Sequence, residues 1–381
     1  MAGPFVSLQQ ILGAPNLLGI IKTTVSGIAN VWEPKFFDVD GKCHGNTGQY
    51  VQYSGARKLS RLNNYGNPSR DRQLKELAIK PVVLMHSVEN IQLKPTDYMS
   101  LLAYDDLKRQ EMGLQEVKRQ VKEFAVYQQN TRIASVNAMM FWDAIYWDDN
   151  GNILAPSAAG SAYGTGITYG TPATNTGQGT TIDGQPIITK SWSDVTADIV
   201  TQIVNLKKTA VQRTGYPLKR AKYGSNIPGY LAQNTEVQAF LARAQYTKDA
   251  QGTLLLEEGE IKNFLGLEWS DGSDASFEDD NGVMQPQIGP DQVSFYPEPD
   301  SSWVGMLEGT YPVPEYANII TQIEQVATSG LPYIEQPGMF SYGVQTADPM
   351  GLKLVHGDTF LPVLKVPSAR YNLITVVGAT S

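Results

Sequence analysis

The sequence predicts an α+β fold laid out as an arm, an extended loop, a long helix and a compact lobe. Three observations predict it. Apolar residues recur at three- and four-residue spacing from Met112 to Phe124 and again from Val195 to Ala210, the period of helices buried on one side. Short runs rich in β-branched and aromatic residues stand apart from these helices, at Pro81–Met85, Leu265–Trp269, Gln292–Tyr296 and from Leu352 onward. A stretch between residues 46 and 83 alternates polar and apolar side chains around a polar, turn-forming centre. Such a layout suits a subunit that interlocks with copies of itself better than a self-contained enzyme.

Composition sets the bounds. The chain has 381 residues, 41% hydrophobic and 18% charged, enough for one large core or two medium ones. Its net charge of −8 argues against a general nucleic-acid binder, which needs concentrated Lys and Arg. The charge is uneven: residues 1–150 hold 17 Lys and Arg against 15 Asp and Glu, leaving 13 against 23 for the remainder. Lobes of opposite sign attract head to tail between subunits. Cys43 is the single cysteine, so no intrachain disulfide forms. Cys43 and His44 have only His86 and His356 as further histidines, so a structural zinc site would need every N and S ligand the chain has, and no metal or cofactor is expected.

The elements follow in order. Residues 1–45 read as an arm with a first strand. Phe5, Leu8, Ile11, Leu12, Leu17, Leu18, Ile20 and Ile21 make it apolar, and Lys22 is its first charge. Gly13, Pro15 and Asn16 break the run, so it is neither a signal peptide nor a membrane span, and it reads as a sticky segment that packs on a partner subunit. Residues 46–83 read as a long hairpin whose tip is Asn63-Asn64-Tyr65-Gly66-Asn67-Pro68. Arg57, Lys58, Arg61, Arg70, Arg72, Lys75 and Lys80 make the loop basic. The region Glu257 to Glu308 holds thirteen acids and one base, Lys262. Loop and acidic region, including Glu278, Asp279 and Asp280, are therefore candidates to meet between subunits.

Thr96 or Asp97 is the expected cap of a helix running from about Asp105 to Ile145, roughly 60 Å if unbroken. Met112, Leu114, Val117, Val121 and Phe124 form its apolar face, continued by Val136, Met139, Met140 and Ile145, with Gln128-Gln129-Asn130 a candidate break. Asp148-Asp149-Asn150-Gly151 ends it in a turn. The Gly, Thr and Ser tract at 155–190 is a loop. Gly179 is followed by Thr180-Thr181-Ile182-Asp183, which lacks the lysine a phosphate loop needs. Asp194 opens a helix striped by Val195, Ile199, Ile203, Leu206 and Ala210 and stopped by Gly215-Tyr216-Pro217. Asn234 caps another that carries Val237, Phe240 and Leu241. With the strands at 265–269 and 292–296 these helices make a compact lobe.

Catalytic signatures are missing from the pattern. There is no Gly-x-Ser-x-Gly elbow. The acid run Asp271 to Gly282 fails as a calcium loop, because counting back from Gly282 puts Phe277 in the first ligand position.

The order of parts resembles the major head proteins of tailed phages, the lambda-like capsid-protein family with the Hong Kong 97 phage capsid fold. Four stretches carry the likeness: Tyr104 to Glu123 with Tyr146 to Gly151; Thr214-Gly215-Tyr216-Pro217 to Asn226; Leu265 to Trp269 with Val293-Ser294-Phe295-Tyr296; and Pro337-Gly338-Met339-Phe340-Ser341-Tyr342-Gly343 to Asp348-Pro349 and the last strands. The resemblance implies an N-terminal arm at 1–45, an extended loop at 46–83 lying over an adjacent subunit, and a peripheral domain at 84–190 with the spine helix. It also implies an axial domain at 191–335 and return strands at 336–381 completing the peripheral domain. It implies copies of the chain in pentamers and hexamers enclosing double-stranded DNA without sequence-specific binding. A separate scaffolding protein, a portal and a decoration protein are the other partners it implies. The product is a virion shell, assembled in the host bacterial cytoplasm with no membrane involved. Lys58 and Lys75 are available for Lys–Asn cross-links, but no acidic activator or acceptor Asn is identifiable, so none is expected. An encapsulin-type shell, another self-assembling subunit, or a calcium-binding hydrolase or lectin-like protein are the alternatives.

Overall fold

The computed structural model describes residues 14–26, 32–53, 77–103, 106–147, 153–154, 165–175, 181–182, 185–186, 188–243, 261, 263–272, 277–278, 284–285, 288–314, 333–347 and 350–376. Two sheets organise them, each with its own helices and its own core.

The first sheet is six-stranded and is organised by the fifteen-residue strand Met350–Leu364. Phe340–Ala347 and Met85–Gln92 flank it antiparallel, and Val304–Pro314 pairs with its far end. Tyr333–Pro337 and the parallel strand Val39–His44 extend the sheet on Val304–Pro314. Side chains alternate across such a strand. Leu352, Leu354, His356, Asp358 and Phe360 turn to the long helix, while Val355 joins Phe340, Tyr342, Val344 and Val313 on the other face. Gly357 is required where Phe340 crosses it, because a Cβ there would collide with the ring.

The long helix runs Leu107–Asn137, 31 residues or roughly 46 Å. Its cap is Asp106, whose Oδ1 accepts from the backbone N–H of Lys108 at 3.1 Å and of Arg109 at 3.3 Å. Thr96 and Asp97, the expected caps, lie instead inside a separate short helix, Pro95–Leu101. Gln128 and Gln129 do not break the long helix; both are buried within it. Val117, Val121 and Ala125 are buried as the stripe requires, but Met112 is 69% exposed, one residue off the buried line through Gly113 and Val117. Nor does the helix reach Ile145. It widens into a π turn at Ala138–Trp142, reverses at Asp143 with φ 61°, and continues as the strand Ala144–Trp147 paired with Thr165–Thr168.

Residues 14–25, expected as part of an arm packed on a partner subunit, pack on their own chain. They form the helix Ala14–Val25, whose Leu17 and Ile21 are buried against Val117, Val121 and Ala125 of the same chain. Residues 39–44 form the first strand expected within 1–45, and it joins the first sheet.

The second sheet orders Asn263–Phe264, Leu267–Asp271, Leu218–Tyr223, Gln292–Pro297 and Tyr371–Ile374 side by side. Helices Ile199–Thr214, Ile227–Gln233 and Thr235–Arg243 share its core through Ile199, Ile203, Leu206, Ala210, Leu231 and Val237. The first of these starts at Ile199, not Asp194. Its cap is Asp198, which accepts from Thr201 N–H at 3.2 Å, and Val195 is left exposed before it. Gly215, at φ 82°, ends it as expected. Asn234 Oδ1 accepts from Glu236 and Val237 N–H, both at 3.0 Å, and starts the last helix. Two expected boundaries move. Val304–Pro314 and Tyr333–Pro337 belong to the first sheet, so the lobe's continuous stretch ends near Pro297 and not at 335. The final strand Tyr371–Ile374 returns to the second sheet and does not complete the first.

Candidate assembly surfaces

An extended hairpin leaves the first lobe at the strands Thr47–Tyr53 and Leu77–Val83, paired from Thr47 opposite Val83 to Tyr53 opposite Leu77. Their period-2 pattern gives the stem two unlike faces. The inner face holds buried Tyr50, with Gln52 and Lys80 beside it. Gln52 Nε2 and Lys80 Nζ both donate to Tyr169 O, at 2.7 and 3.1 Å, and Tyr53 N–H donates to Lys365 O at 2.7 Å. Burial, helped by Asp143, pushes the Tyr50 phenol up to about 12, so it stays neutral. The outer face is apolar and open: Ile79 is 63% exposed, Val83 53% and Tyr53 38%, with Val51 and Pro81 between them. Three large apolar side chains on one side of a projecting ribbon are the mark of a contact surface.

Buried ion pairs hold the parts in place. Arg132 of the long helix donates from Nε to Asp358 Oδ2 at 2.7 Å, and from Nη2 to Asp358 Oδ1 at 2.8 Å and Glu308 Oε1 at 3.0 Å. Its guanidinium also stands over the Phe360 ring, 5.2 Å from the centroid. Burial alone would lower its basicity; the two carboxylates outweigh that and hold it above its usual value. Gly338, at φ 66°, passes so close that a Cβ would sit 2.8 Å from Arg132 Nη2. A second cation, Arg370, is fully buried where the π turn ends. It bonds Asp143, Met139 O and Thr171 Oγ1, and so fixes the reversal at Asp143.

Where the two sheets approach, Arg220 pairs with Glu33 at 3.1 Å, Glu268 at 3.0 Å and Glu298 at 2.7 Å. Beside it Lys222 donates to Ser270 Oγ at 3.1 Å and lies 4.7 Å from the Trp32 ring centre. Trp32, Glu33, Arg220, Lys222, Glu268 and Ser270 line a cavity of about 290 Å³. Two carboxylates and two cations face it, so it offers a bound ion no net charge. Among the described residues no group of three or more His, Cys, Asp or Glu could hold a metal ion. Among them also, no helix is long and apolar enough to cross a membrane.

Ser341, His356 and Glu89 stand in one row across the first sheet, a Ser-His-acid order that sequence spacing does not reveal. Ser341 Oγ and both His356 ring nitrogens are buried and make no hydrogen bond, which leaves the row without the nucleophile–base contact catalysis requires.

Eleven of the twelve contact residues expected from the sequence lie outside the described residues: Phe5, Leu8, Ile11 and Leu12, the basic residues Arg57, Lys58, Arg61, Arg70 and Arg72, and Asp279 and Asp280. Glu278 is placed only as backbone, in the strand Phe277–Glu278 paired with Met284–Gln285. Conversely, the open stem face and the Arg132 and Arg220 networks were not anticipated. Arg132 did leave a signal, as the single charge in the apolar run from Phe124 to Trp142.

No protein-family model matches the chain, and no curated protein matches it. Solved structures do. A protein described as a prophage capsid protein from E. coli CFT073 superposes with a TM-score of 0.53 at 13% identity, over 96% of this chain and 99% of that one. A phage-related protein from Bordetella bronchiseptica RB50 gives 0.46 at 12% identity, over 98% and 100%. A chain of the satellite phage P4 procapsid, which includes a size-determination protein, gives 0.46 at 9% identity, over 99% and 92%. The E. coli match spans nearly the whole of both chains. This chain has the phage capsid fold of the Hong Kong 97 type, an α+β fold with an extended hairpin, a long spine helix and two lobes.

Proposed function

We propose that this chain is a major capsid protein, a structural subunit that assembles with its own copies into the icosahedral head of a tailed phage. The observation that carries the reading is the near-complete superposition on a capsid protein, end to end in both chains. The open apolar face of the hairpin stem supports it, because a side chain such as Ile79 gains about 1.5–3 kcal/mol on burial and is 63% exposed among the described residues. On this reading the loop 46–83 lies over an adjacent subunit. The six-stranded sheet and spine helix form the peripheral domain, and the second sheet with its helices forms the axial domain around five- and six-fold axes. Phe5, Leu8, Ile11 and Leu12 reach a neighbour, and Arg57, Lys58, Arg61, Arg70 and Arg72 meet an acidic surface such as Glu278, Asp279 and Asp280. Individually such surface pairs contribute only about 0–1 kcal/mol, so many must act together. The role is structural, not enzymatic. The shell encloses DNA without reading its sequence, forms in the host cytoplasm with a separate scaffolding protein and a portal, accepts a decoration protein, and ends as the virion capsid. Sedimentation and negative-stain microscopy of the expressed chain test this: closed shells are expected. A chain that stays monomeric at high concentration, with scaffold and portal partners supplied, overturns it.

A further inference from the structure

We propose that His356 is a proton-operated release for the spine helix, holding the helix on the sheet while neutral and driving the two apart when it takes up a proton. The imidazole is buried in the long strand Met350–Leu364 and lies flat under Phe124 of the helix, with ring centroids 4.2 Å apart and planes 14° apart. Neither ring nitrogen has a hydrogen-bond partner. A neutral ring tolerates that site as a flat, weakly polar filler; an imidazolium carries two N–H donors and a full charge into it and finds nothing to receive them. One residue on, the Gln128 amide, turned to match, meets the peptide of Gly357 at 3.1 and 3.2 Å, so the helix grips the strand directly beside the ring.

The charged and titratable groups around the site decide the direction of any movement. Ser341, across one neighbouring strand, is neutral, and its Oγ is likewise unpartnered. Glu89 stands opposite on the other neighbouring strand. On the helix, Tyr127 donates to Glu123 at 2.9 Å, and both are exposed. Arg132 is committed to Asp358, two residues along the strand from His356. The helices Ala14–Val25 and Pro95–Leu101 pack around Leu352 and Leu354 and carry Lys22 and Asp97. No carboxylate therefore receives an imidazolium in place. Glu89, opposite on the sheet, and Glu123, which also pairs with Arg119 at 2.9 Å, are exposed, so a charged ring gains by swinging out from under Phe124.

Burial pushes His356 down to about 3 from an ordinary 6.5. A base whose folded value is depressed binds more protons when released, so the closed contact is fully favoured above 6.5 and weakens as pH falls toward 3. At pH 4.5 the released state gains about 100-fold over the closed one relative to pH 7.5, by proton linkage alone.

Hydrogen exchange of full-length protein, read over residues 120–132 at pH 7.5 and 4.5, tests this against His356→Phe, which keeps an aromatic stack and cannot titrate. After correction for intrinsic rates, wild type is expected to lose about 100-fold more protection in that segment than the variant does. Equal losses overturn the proposal. Histidine C2-proton exchange on the wild type provides a second reading that needs no variant. His356 should exchange far more slowly than His44, whose side chain is 84% exposed, and should titrate well below the ordinary 6.5. An ordinary midpoint for His356 equally overturns the proposal.

Discussion

Replacing Arg132 with Met tests how the spine helix is held. The substitution keeps most of the aliphatic stem and removes the guanidinium, and with it three charge-assisted hydrogen bonds at 2.7, 2.8 and 3.0 Å. Asp358 is the group left behind. Its side chain is 0% exposed, so the orphaned carboxylate has no water to turn to, whereas Glu308 lies nearer the surface. Removing one partner of such a pair costs about 3–5 kcal/mol, most of it the uncompensated charge. The lost cation–π contact with Phe360 adds ~1 kcal/mol. Against a net stability of about 5–15 kcal/mol this is a large fraction. With a urea slope of about 3 kcal/mol per molar, the midpoint followed by tryptophan fluorescence should fall by roughly 1–2 M. The double change Arg132→Met with Asp358→Leu removes the orphan and should recover most of the loss, leaving a coupling energy of about 2 kcal/mol or more. A single variant within about 1 kcal/mol of wild type, or a double variant no better than the single, would refute the account of a buried charge that must be matched.

Two further changes separate assembly from folding. Ile79→Asp with Val83→Asp places charge on the open stem face; monomer stability should stay within about 0.5 kcal/mol in urea unfolding, since neither side chain is buried, while microscopy should find no shells. Leu17→Ala and Ile21→Ala should each cost about 2–5 kcal/mol of subunit stability, because both are buried against the spine helix of their own chain; unfolding unchanged by both would return the helix Ala14–Val25 to the role of an arm that packs on a partner subunit.

Much of the local structure was legible because local chemistry fixed it. Gly215 stops a helix because a left-handed residue is needed there, and Asn234 starts one because its side chain can receive the free N–H groups of the next turn. The helix stripe predicted the burial of Val117 and Val121, and it failed for Met112, where one position of rotation moves a side chain from core to solvent. The far end of the spine helix was illegible for a different reason. Ala138 to Ile145 is apolar but for Asp143 and fits helix or strand equally well. What reverses the chain is Asp143, held by an arginine 227 positions away. Arg132 and Asp358, 226 positions apart, pose the same difficulty. Each is the lone charge in an apolar run, which marks both as buried and in need of a partner but does not say that they are partners of each other.

The hairpin stem shows where this limit touches function. Its alternation predicts two strands with one face unlike the other, and the structure has them in register. Alternation alone cannot say which face the subunit keeps for itself. Tyr169 O decides it by accepting from both Gln52 and Lys80, which pins their side of the ribbon inward and turns Ile79, Val83 and Tyr53 out. A core residue and a contact residue therefore have the same signature in the sequence. They differ only in whether their own chain supplies the surface that covers them, and at Ile79 and Val83 the described residues leave more than half of each residue open.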